Sequence, residues 1–342
     1  MKSNNLFNSE KKYGEIHPRD FSPTAFSMDS LLTELRVMNL SKTVMLIVIG
    51  LFLSFQSKAQ EYQFKVLANQ GDNTLVSSDG SRNEQLKVGS TLQEGDKLIL
   101  SEGAYVGLMH PNGKTMEIKT AGEFEVNELT LKAGDGNSVA SKYADFIMTR
   151  MAEEDAEIDE NHRKYLNVTG AVERKIGSSA INLMMPNSAE IYNSIALIKW
   201  TDLNAETYIV TVRNMYDEVL LTAETTEPQL KLDLNQKSLS KERLVIVKVI
   251  VKGNLALASE GYGIKRITAP KAAAINADLA ILKGAIQDGN ALDKLILASF
   301  FENNNLIVDA LAKYEEAMAI NPTVKEYKNA YAQFVSRHNL LN

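Results

Sequence analysis

The chain changes its hydrophobic period at Pro270. Over residues 62–133 and again over 182–266, short runs alternate apolar and polar residues and are broken by Gly, Asn and Asp; beyond Pro270, apolar residues recur at helical spacing. Alternation marks a strand with one buried face, and steps of three and four mark an amphipathic helix. Strands first and helices last describe a multidomain fold of the β plus α class. The 342 residues are enough for two or three domains.

Residues 61–133 form the first expected domain. Strands are predicted at 63–68, 73–77, 97–100, 105–110 and 115–119. Turn signals recur between them at Asp79-Gly80-Ser81, Gly89, Glu94-Gly95-Asp96, Glu102-Gly103 and Pro111-Asn112-Gly113. Gly95 supplies a positive φ for a tight turn, and Asn112-Gly113 is a favoured hairpin pair. This spacing describes a small all-β sandwich or barrel.

The positions Leu86, Gly89, Leu92, Gly95, Asp96 and Leu98, then Ala104, Val106 and Leu108, then Asn112-Gly113-Lys114, resemble the FecR family over about 70 residues. The resemblance implies an envelope protein-interaction module. In the signalling members of that family, a cytoplasmic anti-sigma segment precedes a membrane anchor.

Residues 182–268 carry longer strands, predicted at 194–201, 206–213, 218–223, 229–234 and 243–252, with 256–266 closing the series. The alternation Tyr208, Val210, Val212 is strict, so one face is buried. Trp200 at the end of an early strand and the Tyr-x-Val-x-Val at 208–212 resemble the fibronectin type III family, an Ig-like β-sandwich. Trp200 reads as core rather than as a sugar-stacking platform.

After Pro270, helices are predicted at 272–287, 292–302, 306–320 and 323–338, the last with a Thr323 cap. Leu297, Ala298, Phe301, Ala310, Tyr314, Ala317 and Pro322 resemble one tetratricopeptide repeat. Small Ala298, Ala310 and Ala317 let two helices approach, and Phe301 and Tyr314 fill between them. Residues 269–342 are thus expected to form a TPR-like helical domain. A single repeat must dock on a neighbour or bind a partner. Glu302 and Asn303, near the end of the repeat's first helix, are the candidate partner contacts.

The connector, 134–181, is read as a helical linker. Its Ala133-Gly134-Asp135-Gly136 start lacks the Lys-Ser/Thr of a phosphate loop. Residues 141–165 carry one apolar stripe, Tyr143, Phe146, Ile147 and Met151. The six acids at 153–160 lack the spacing of a calcium loop and read as a solvated helix face.

Residues 38–60, MNLSKTVMLIVIGLFLSFQSKAQ, have the layout of a signal peptide: a basic head, an apolar run and a small-residue exit. Cleavage is expected after Ser57 and Ala59, leaving Gln60 first. The apolar run of 44–55 is shorter than the ~20 residues of a membrane span. Residues 1–37 are polar and without sustained period, and read as a disordered tail or as a misassigned start ahead of Met38.

The chain holds no cysteine, which excludes disulfides, thiolate metal sites, Cys nucleophiles and a lipoprotein anchor. Its formal net charge is −6, and beyond residue 60 it carries 30 Lys/Arg against 38 Asp/Glu. A mildly acidic body argues against nucleic acid and anionic lipid. The four histidines, His17, His110, His162 and His338, form no ligand pair, and no nucleophile or zinc motif is present.

The expectation is a non-catalytic periplasmic or secreted interaction protein of the cell envelope, without cofactor or metal. Its partners are expected to be other envelope proteins, and the membrane is met only through the signal peptide. One rival is a FecR-type membrane-anchored anti-sigma regulator that retains residues 1–37 and the apolar run. The other is a wall- or carbohydrate-binding protein using Trp200.

Overall fold

The computed structural model describes residues 62–133, 142–143, 181–284, 286 and 289–340. The expectations for 1–61, including Ser57, Ala59 and Gln60, lie outside these residues. So do the loop at 134–138, the acid run at 153–160, and all of the 141–165 helix except Lys142 and Tyr143, which are helical. No helix among the described residues is long and apolar enough to cross a membrane.

The first part of the described chain is β-rich. Its strands are β1 (Phe64–Gln70), β2 (Thr74–Val76), β3 (Asn83–Gln85), β4 (Thr91–Leu92), β5 (Lys97–Leu100), β6 (Tyr105–Met109), β7 (Thr115–Ile118) and β8 (Gly122–Glu125), and helix α1 (Val126–Ala133) follows. Two antiparallel sheets, ordered β4-β1-β6-β7 and β3-β2-β5-β8, share a core that includes Phe64, Val66, Leu75, Leu98, Val106 and Leu108.

The Gly-Asp motif is a local brace. Gly95 has φ +83°, and a Cβ there would come within 2.9 Å of the Ser78 Cβ. Asp96 is buried, accepting from Arg82 Nη2 at 2.7 Å and from the Gln93 N–H at 2.9 Å. The hairpin at 110–114 differs from the expected Asn-Gly turn. Only Gly113 has positive φ; its N–H donates to the His110 carbonyl at 2.9 Å, and the His110 N–H donates to that of Lys114 at 2.8 Å. Pro111 takes the first central position, for which its ring presets φ, and Gly113 absorbs the left-handed residue that follows.

The next strands are β9 (Ser188–Ile191), β10 (Ile195–Lys199), β11 (Tyr208–Arg213), β12 (Val219–Thr225), β13 (Gln229–Asp233), β14 (Leu244–Val251), β15 (Asn254–Ala258) and β16 (Tyr262–Arg266). One sheet has the order β12-β11-β14-β16-β9, with β15 also on β14; β10 and β13 form a second, two-stranded sheet. All pairs are antiparallel except β9 with β16. Tyr208, Val210 and Val212 of β11 and Val245, Val247 and Val249 of β14 face a core with Ala196, Ile198, Trp200 and Leu232. The single closing strand expected at 256–266 is two, β15 and β16. Between them Ser259 Oγ accepts from the Val249 N–H at 2.9 Å and donates to the Glu260 carbonyl at 2.7 Å.

The chain ends in α2 (Ala269–Lys283), α3 (Ala291–Asn303), α4 (Ile307–Ile320) and α5 (Lys325–Arg337). Pro270 lies in the first turn of α2, where its missing N–H costs no helical bond. Asn290 caps α3, its Oδ1 accepting from the Asp293 N–H at 2.7 Å. The Thr323 cap is corrected. Helix α5 starts at Lys325, and Val324 occupies the cap position with no side-chain cap bond. Val324 is buried in the helical core, so packing rather than capping chemistry sets the entry.

This helical layer does not stand apart. Its core takes in Leu67, Ala68, Tyr105 and Met109 from β1 and β6. Strand β6 is buried along its whole length, Val106 and Leu108 facing the β core while Tyr105 and Met109 face the helices. Glu117 Oε1 accepts from the Ala291 and Leu292 N–H groups at the start of α3, at 2.7 and 3.2 Å. A carboxylate there satisfies two otherwise orphaned donors and complements the helix dipole. On the other side, Val308 of α4 enters the second β core.

Candidate functional site

The helices cover one outer sheet face, that of β1 and β6. The outer face of the β12-β11-β14-β16-β9 sheet is different. Strand β14 reads LVIVKVIV, apolar at both parities except at Lys248. Its odd positions fill the core; Leu244, Ile246 and Ile250 point the other way, half-buried, and lie outside every hydrophobic cluster of the described residues.

Strand register builds the face in rows. Ile209 pairs with Ile250, Thr211 with Lys248, and Arg213 with Ile246. On the far side of β14, Gly263 pairs with Ile246 and Lys265 with Leu244. The glycines keep the aliphatics open. A Cβ on Gly261 would lie 3.0 Å from Ile246 Cγ2, and one on Gly263 would lie 3.4 Å from Leu244 Cδ1.

The β11–β12 hairpin adds exposed apolar residues at its end, Met215, Tyr216 and Val219, which are 65%, 77% and 54% exposed, with Val219 paired to Arg213. Asn214, itself buried, holds the tip. Its Oδ1 accepts from the N–H groups of Tyr216 and Glu218 at 2.9 and 3.0 Å, and its Nδ2 donates to Glu218 at 2.7 Å. Asp217 takes φ +66° at the turn. A tip braced this way presents its apolar side chains with little ordering cost on contact.

Charge on the face is uneven. Lys252 pairs with Glu224 at 2.7 Å, and Arg213 with Asp217 at 3.0 Å. Lys248, exposed at the centre, makes no ion pair among the described residues. A sheet face on which aliphatic side chains alternate with cations is suited to binding another protein surface, since single exposed apolar residues are ordinary but clustered ones are not.

The residues singled out in the sequence fall elsewhere. Asn303 is exposed at the end of α3. Glu302 is committed within the chain: its carboxylate accepts from Tyr314 Oη at 2.9 Å and from Arg337 Nε and Nη2 at 2.9 and 3.0 Å, and His338 Nε2 lies 3.0 Å away. Burial acts to raise its pKa, but the His338 hydrogen bond, the Arg337 charge and the Tyr314 hydroxyl outweigh that and hold it below the usual glutamate value. Glu302 therefore fastens α5 to α3 and α4. Trp200 is buried, its ring edge-on to Tyr208 at 5.4 Å. His110 stacks edge-on against Phe64 at 5.4 Å, and His17 and His162 lie outside the described residues. Among the described residues no cluster of three or more His, Asp or Glu is arranged to hold a metal.

The sequence reading missed Leu244, Ile246 and Ile250, because it took alternation as the signal of a strand. The same run carries the missing signal: apolar residues at both parities of a strand demand two covered faces.

Compared with protein-family models, the chain matches none, and compared with curated proteins, its sequence matches none.

Proposed function

We propose that this protein is a non-catalytic interaction protein of the bacterial cell envelope, exported by the signal at 38–60 and working in the periplasm or outside the cell. The observation that carries this is the outer face of Leu244, Ile246, Ile250 and Ile209, together with the braced Met215-Tyr216 tip. The occupant is an envelope protein that presents an apolar ridge with a carboxylate opposite Lys248.

The domain identities belong to the same reading. The Gly95-Asp96 brace and the two small sheets support a FecR-like module at 61–133. The Trp200–Tyr208 contact, together with the parallel β9 on β16, supports a fibronectin type III or Ig-like sandwich at 182–268. The burial of Ala298, Phe301, Ala310, Tyr314 and Ala317 between α3 and α4 supports a TPR-like helical pair within 269–342. In this protein the pair docks on its neighbours, so the partner surface is assigned to the open sheet.

The test joins location to contact. Mass spectrometry of the mature protein is expected to find an N-terminus at Gln60 in the soluble envelope fraction. A retained Met1 or Met38 in membranes would overturn the exported, soluble part of the reading. A photo-crosslinking residue at position 246 is expected to capture an envelope protein, and Lys248→Glu to abolish the adduct without changing the far-UV circular dichroism.

A further inference from the structure

The joint between the first β region and the helical layer contains a buried carboxyl whose charge is poorly compensated. Glu326, in the first turn of α5, is 4% exposed, and its carboxyl makes no hydrogen bond of ordinary geometry among the described residues, the Asn69 backbone N–H and its own being the donors that act on it. Its neighbour Tyr327 is fully buried and joined hydroxyl to hydroxyl to Tyr105 of β6, so α5 meets the β region at this point. Gln70 Oε1, at the end of β1, is also buried without a partner among the described residues.

We propose that Glu326 is a pH-sensitive latch: uncharged, its carboxyl lies in the closed joint, and ionised it must regain water, loosening α5 from β1. The groups facing it offer little compensation. Lys325, on the same helix, is exposed and is the one cation among the described residues that acts on it; β1 contributes the Asn69 backbone N–H. From β6 and α5 come the Tyr105 and Tyr327 phenols, which burial holds protonated. Glu117 of β7 acts on both phenols and pairs with Lys119 at 2.8 Å. The start of α5 favours a carboxylate through its dipole, but burial outweighs this and raises the Glu326 pKa.

The sign follows. A carboxyl whose folded pKa is raised contributes its full share of stability below the unfolded value of 4.5, and that share is lost as pH rises through the folded value. Thermal unfolding of the full chain and of Glu326→Gln is therefore expected to coincide near pH 4 and to separate as pH rises, the variant melting higher by about 2–4 °C at pH 8. Hydrogen exchange is expected to show α5 and β1 amides losing several-fold protection in the unaltered chain alone. Parallel melting curves, or a variant that melts lower at pH 8, would overturn the latch. Carbon-13 titration of the Glu326 carboxyl in the unaltered chain decides the matter if the variant does not fold. A midpoint above the ordinary glutamate value is expected, and one at or below it would refute the proposal.

Discussion

Asp309 on α4 accepts from Asn193 twice, from its backbone N–H at 2.9 Å and from its Nδ2 at 2.7 Å. It also accepts from the Tyr192 N–H at 2.9 Å, so one buried carboxylate holds the whole β9–β10 turn against the helical layer. Burial raises its pKa despite the three donors. Removing it leaves two partly buried backbone N–H groups without that acceptor. Asp309→Ala is expected to lower the unfolding free energy by about 2–4 kcal/mol in urea titration, with Asp309→Asn retaining part of the loss.

Glu302 predicts an acid-side effect of opposite sign to that of Glu326. Its folded pKa lies below the ordinary glutamate value of 4.5, so the stability it contributes is present above that value and is lost as pH falls through the folded pKa. Urea midpoints measured from pH 7 downward should therefore fall below about pH 4.5 in the unaltered chain. In Glu302→Gln that dependence should flatten, with a loss of about 1–3 kcal/mol at pH 7 from the unpaired Arg337.

Gly107 of β6 lies directly beneath α3, and a Cβ there would come within 3.0 Å of Leu292 Cδ1. Gly107→Val is expected to destabilise by about 1–3 kcal/mol through overpacking. Leu292→Ala in the same chain should recover part of this, giving a favourable coupling in a double-mutant cycle. Additive losses would place the effect of the valine elsewhere.

The legible part of this fold was that governed by local pattern. Tyr208, Val210 and Val212 alternate as a one-face strand, and β11 follows them. Ala310, Tyr314 and Ala317 repeat at helical steps, and α4 buries all three. The short β3, Asn83–Gln85, has no apolar residue and is exposed throughout, so its pairing with β2 leaves no mark in composition. Strand β9 joins β16 across more than seventy residues in parallel, a relation no local window contains. Glu302 looked available because it lies near the end of the repeat's first helix. Tyr314 and the distant Arg337 and His338 reveal its commitment.

Trp200 is the single tryptophan, so its emission reports on the second β core alone. With the ring buried against Tyr208, emission should be blue-shifted, resistant to iodide, and unchanged by cell-wall glycans. A glycan-induced shift would restore the carbohydrate-binding rival.

The central claim concerns the open sheet, and site-specific photo-crosslinking tests it most directly. The probe is placed in living cells at Ile246 and, as a control, at Lys231 on the two-stranded sheet. The account predicts one discrete adduct with another envelope protein from position 246, lost with Lys248→Glu, and none from position 231. No adduct at 246, or the same adduct from both positions, would contradict it.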